Sequence, residues 1–81
     1  MEHELRNTEH LYEARASAVA DTIAHRDRPS AFLTEARTAY RQAAAAVAQA
    51  RASSGSQRVE LLHVASAYGE VGNALTRLGS A

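Results

Sequence analysis

Nineteen of the 81 residues are alanine, and the densest run, Gln42-Ala43-Ala44-Ala45-Ala46-Val47-Ala48-Gln49-Ala50-Arg51-Ala52, falls inside a heptad of core positions. This placement restricts the fold more than any other feature. Alanine is the strongest helix former, yet a buried face made of it is thin. It lets helix axes approach closely but removes little apolar surface from water, at about 0.8 kcal/mol per buried methylene. A chain built this way gains from burial supplied by a partner.

Size and composition agree. One domain of 81 residues buries only about 60 to 65 percent of the surface its unfolded chain exposes. Four aromatics (Tyr12, Phe32, Tyr40, Tyr68) and no Trp weaken the core further. With no cysteine, disulfides, thiolate zinc sites and cysteine nucleophiles are excluded, which leaves association as the remaining means of stabilisation. Nine arginines balance nine acidic residues and lysine is absent, the usage expected of a GC-rich genome. Zero net charge disfavours a dedicated polyanion binder, whose affinity rests on excess cationic charge. The segment Met1 to Leu5 lacks the basic and apolar regions of a signal peptide, and no stretch approaches the roughly 20 apolar residues of a membrane span. The expected location is the bacterial cytoplasm, with no membrane partner.

Two interruptions divide the chain. At Arg26-Asp27-Arg28-Pro29-Ser30, Pro29 disfavours helix at Arg28, and Ser30 or Asp27 can cap the next helix. At Ser53-Ser54-Gly55-Ser56 a glycine break is followed by Ser56 as the expected N-cap. The spacing predicts an all-α fold with helices over about 4–26, 30–52 and 57–78. The second helix repeats as Leu33, Ala36, Tyr40, Ala43, Val47, Ala50, and the third as Leu61, Val64, Tyr68, Val71, Leu75, Leu78, both in alternating steps of three and four. Two such seams joined by a short turn predict an antiparallel hairpin, in which the large residues of helix three fill the space left by the alanines of helix two. Helix one carries a stripe of Leu5, Tyr12, Ala16, Val19 and Ile23, with Leu11, Ala18 and Ala20 beside it. It either packs on the hairpin or swaps onto another subunit.

Chemistry-bearing residues are sparse. His3 and His10, seven apart on a helix, stand about 10 Å from one another, too far to share an ion. Glu60-Leu61-Leu62-His63 has the Glu-x-x-His spacing of di-iron bundles, but Glu60 in a first turn also suits the helix dipole and His63 falls outside the seam. Solvated or interface polar roles are expected for all of these and for His25 near the first break, and hence no metal or other cofactor. The seven serines lie in breaks, at a terminus or within helices, without a nucleophile elbow or a strand to carry one, so catalysis is not expected. Arg26, Arg28, Arg37 and Arg41 gather around the first break. Asp27 and Glu35 dilute them and no aromatic platform lies among them, so they read first as a solvated face.

Gly69 and Gly72, within one turn of helix three and in line with Ala65 and Thr76, each carry a helix penalty of about 1 kcal/mol relative to alanine. Close approach of another helix explains them. Phe32 flanks the second seam and can anchor either helix one or a partner.

From Phe32 to Gly72, about half the chain, the residues resemble a tetratricopeptide repeat. Ala36-x-x-x-Tyr40-x-x-Ala43 looks like that repeat's second helix and Leu61-x-x-Val64-Ala65-x-x-Tyr68-x-x-x-Gly72 like its first. The resemblance implies a helical hairpin that binds or stacks on a partner. Size, charge balance and hairpin form are also similar in outline to the small helical chaperones of type III secretion systems, which keep filament subunits soluble as complexes. The expected function is non-catalytic protein association: a small adaptor or chaperone that forms a homo-oligomer or binds a partner helix through Leu11, Tyr12, Val19, Ile23, Tyr68, Gly69, Gly72 and Leu75. The alternative is a small regulator that binds nucleic acid or a ligand through the Arg26 to Arg41 region.

Overall fold

The computed structural model describes residues 2–28 and 30–80; Pro29, on which the first break was placed, lies outside the described residues. The described chain forms three helices and no strand: α1 (Glu2–Ala24), α2 (Ala31–Arg51) and α3 (Gly55–Ser80). The fold is all-α. Helix α2 starts as its sequence predicts. Ser30 is extended (φ −119°, ψ 117°), and its hydroxyl accepts the Leu33 N–H at 3.2 Å, satisfying one of the donors that a helix start leaves unpaired.

The other boundaries shift by one or two residues. α1 stops at Ala24 because the chain tightens there: the His25 N–H is shared between the Asp21 and Thr22 carbonyls, and Arg26 N–H turns back to Ile23. α3 begins at Gly55 rather than after a Ser56 cap. Gly55 has φ +61°, a left-handed conformation only glycine adopts freely, and it redirects the chain straight into the helix. The preceding Ser54 carbonyl accepts the Arg58 N–H at 3.4 Å.

Helix α2 is the centre of the molecule, with α1 and α3 each packed antiparallel against it, as in two hairpins that share a strut. The result is a rod of 45 × 18 × 14 Å. Helix α1 therefore packs within its own chain, through Leu5, Ala16 and Val19. Two clusters make the core. One gathers Ala16, Val19, Leu33, Ala36 and Tyr40; the other gathers Leu5, Ala46, Val47 and Ala65. Tyr12 packs against both.

The inner face of α3 differs from the expected one. The seam of Leu61, Val64, Tyr68, Val71, Leu75 and Leu78 does not fill the space above the alanines of α2. Ala65, Gly69, Gly72 and Gly79 face inward instead. The reason is volume. Cβ atoms built on Gly69, Gly72 and Gly79 would lie 2.6 Å from the Tyr12 ring, the Tyr40 ring and the Leu33 side chain respectively. The bulk at this interface comes from α1 and α2, and α3 supplies the hollows.

Candidate functional site

The inward line on α3, Leu62, Ala65, Gly69, Gly72, Thr76, Gly79, and the line of large residues, Leu61 to Leu78, both step by three and four. They run one residue out of phase. Since the first line is consumed by α1 and α2, the second is left facing water: Val64, Tyr68, Val71 and Leu78 are 40 to 55 % exposed. Leu61 is half-buried and Leu75 packs partly against the first core cluster. Phe32, in the first turn of α2, is 47 % exposed.

Among the described residues the buried apolar set holds only five side chains larger than alanine, namely Leu5, Val19, Leu33, Tyr40 and Val47. Seven large apolar side chains are exposed. Scattered surface hydrophobes are ordinary, but four of these seven form one continuous line along a single helix, which is the pattern of an association surface.

The residues expected to bind a partner divide in two. Leu11 and Tyr68 are exposed. Val19 is buried in the core, Ile23 and Leu75 pack partly against it, and Gly69 and Gly72 are covered by the rings of Tyr12 and Tyr40. The close approach expected at the two glycines is present within the chain. Val64, Val71 and Leu78, accessible in the structure, were outside the expected set although their periodicity was plain. Spacing alone predicts that seam in the interior, and the bulk of Tyr12, Tyr40 and Leu33 keeps it out.

Polar groups tie the helices together. Arg15 of α1 donates to Asn73 Oδ1 of α3 at 3.1 Å, the Tyr40 hydroxyl of α2 donates to the same oxygen, and the Arg15 guanidinium stands 6.0 Å from the Tyr40 ring centre. One amide oxygen thus joins all three helices. At the other end Arg51 donates through Nε to Glu2 at 2.7 Å and through Nη1 to Glu9 at 2.6 Å. The first of these bonds holds the Glu2 carboxyl below its ordinary pKa of 4.5. No buried side-chain polar atom among the described residues lacks a partner.

The candidate chemistry-bearing residues lie apart. His10 bonds Glu13 at 3.0 Å, His25 donates to the Asp21 carbonyl, and Glu60 and His63 are exposed. Among the described residues no three His, Asp or Glu side chains gather to hold a metal, and no helix is long and apolar enough to cross a membrane. Arg37 and Arg41 line an open groove of about 400 Å3 between α1 and α2, together with Glu9 and Glu13 and a floor of alanines. Charges of both signs share its rim. Arg26 and Arg28 lie in the exposed connection between α1 and α2.

No family profile matches the chain, and neither a curated protein nor a solved structure is significantly similar to it.

Proposed function

We propose that this chain is a non-catalytic association module, a small helical adaptor or chaperone whose working surface is the outer face of α3. The supporting observation is the line of Val64, Tyr68, Val71 and Leu78, all exposed along one helix, where among the described residues five large apolar side chains are buried and seven are exposed. Burying such a line against another helix is the helix-in-groove mode of recognition, with Tyr68 supplying rigid contact area. Leu11 and Phe32 are secondary contacts in this reading.

Radical footprinting of the assembly isolated from the native host tests it. Tyr68 and Leu78 are expected to be protected there and labelled after dissociation. Equal labelling before and after removes the reading. A salt titration separates it from phosphate recognition by Arg37 and Arg41, since counterion release weakens binding steeply with salt and apolar docking does not.

A further inference from the structure

We infer that the guanidinium of Arg15, held where α1 meets α3, is a binding site for a carboxylate borne on a short apolar stem. The site is separate from the exposed line of α3, since Asn73, which holds Arg15, follows Tyr68 by five residues and so lies about 140° further round the helix.

The guanidinium is fixed in place by the fold. Nη1 of Arg15 donates to Asn73 Oδ1 at 3.1 Å, and the group stands 6.0 Å from the Tyr40 ring centre. Arginine only donates, so the atom it meets is the amide oxygen and the Asn73 amide has a single orientation. The Tyr40 hydroxyl, on a ring 4 % exposed, donates to that same oxygen. A ligand therefore finds the arginine already ordered, which removes much of the entropy cost of binding.

The clamp occupies one nitrogen and leaves the working edge free. Nε and Nη2 of Arg15 have no hydrogen-bond partner among the described residues. Every buried side-chain polar atom there does have one, so both nitrogens reach solvent. Side by side, they form the fork that the two oxygens of a carboxylate accept together. The charge is uncompensated as well: the ion pairs among the described residues involve Arg51 twice and His10 once, and none involves Arg15. Arg15 is only partly exposed, and a cation partly withdrawn from water gains more from a counter-charge than one in bulk solvent.

The surroundings select the ligand. Exposed Glu70 and Arg77, about one turn to either side of Asn73, are opposite in sign, so the site carries a single net positive charge. That matches one carboxylate better than phosphate, which carries nearly two charges. Leu11, one turn before Arg15 on the same side of α1, is 46 % exposed, and an apolar stem beside the carboxylate covers it.

Nuclear magnetic resonance of the unaltered chain at pH 6, where carboxylates are ionised, reads the arginine Nε–H signals. Butyrate is expected to move the Arg15 signal saturably at millimolar concentration, while Arg6, exposed on the same helix, serves as the control and barely moves. Acetate, without the stem, is expected to bind at least about 3-fold more weakly. A capped leucyl-glutamate peptide distinguishes the sources: binding tighter than butyrate assigns the carboxylate to a protein side chain, weaker binding to a small free acid, and either supports the site. Arg15→Lys keeps the charge but loses the fork, and is expected to weaken butyrate binding about 10-fold or more with helical circular dichroism unchanged.

An Arg15 signal that only follows Arg6, or that responds equally to chloride or phosphate at the same ionic strength, overturns the proposal. A folded Arg15→Lys variant that binds butyrate as the parent does overturns it too. So does a response that appears only in a Glu70→Gln variant, because Glu70 of the chain itself would then occupy the fork.

Discussion

Glycine in mid-helix is penalised by about 1 kcal/mol relative to alanine, so Gly72→Ala would stabilise an isolated α3. In this protein the new methyl would sit 2.6 Å from a Tyr40 ring atom, closer than packed carbon atoms come, and the ring is held by its bond to Asn73 and its 4 % exposure. Overpacking outweighs propensity. Gly72→Ala is expected to destabilise the fold by about 1–3 kcal/mol in urea unfolding, and unchanged or raised stability would show that the ring yields freely. That something approaches closely at Gly69 and Gly72 was legible from two glycines within one turn. That the approaching groups are tyrosines of the same chain was not, because spacing reports which face is small and leaves open what fills it.

The helices are joined at their ends by arginines that sequence reading assigned no role. Arg58 lies in the first turn of α3, where the helix dipole disfavours a cation. Its guanidinium instead reaches the end of α2, donating through Nε to Ala50 O at 3.0 Å and Ser53 O at 2.8 Å. The carbonyls left open at the C-terminus of one helix are thus capped from the start of the next. Arg58→Ala is expected to lose about 1–2 kcal/mol of stability, with hydrogen exchange rising first over residues 50–54 (measured by mass spectrometry). Exchange that rises uniformly along the chain would deny it this local role.

Arg51 does the matching work for α1. Because its bond lowers the Glu2 pKa from the ordinary 4.5, the contribution is complete above pH 4.5 and disappears as pH falls through the lowered folded value. Nuclear magnetic resonance of the chain on acidification should therefore show the first turn of α1 fraying before α2 changes; fraying already complete near neutral pH would contradict the assignment. Helix existence and order were legible here from periodicity and the Ser30 cap. The early start of α3 was not, since it depends on the left-handed Gly55 followed by a distant arginine contact.

At the scale of the whole molecule, two lines on α3 satisfy the same heptad rule, and periodicity cannot rank them. Hydrophobicity alone favours burying the larger. The fold buries the smaller, because Tyr12, Tyr40 and Leu33 already occupy the space between the helices and only glycines leave room for them. The apolar surface that results is the outcome of a volume contest inside the bundle. The two lines differ by one residue, which is a roll of α3 about its own axis by about 100°. One helix thus holds the inner surfaces of two alternative bundles, and the orientation that presents Tyr68 to water is selected from beneath. Replacing Gly69, Gly72 and Gly79 together by alanine should roll α3 toward the other orientation, reducing radical labelling of Tyr68 in the isolated chain. Unaltered labelling in a variant that still folds would refute this. The surface offered to a partner is set by residues that no partner touches.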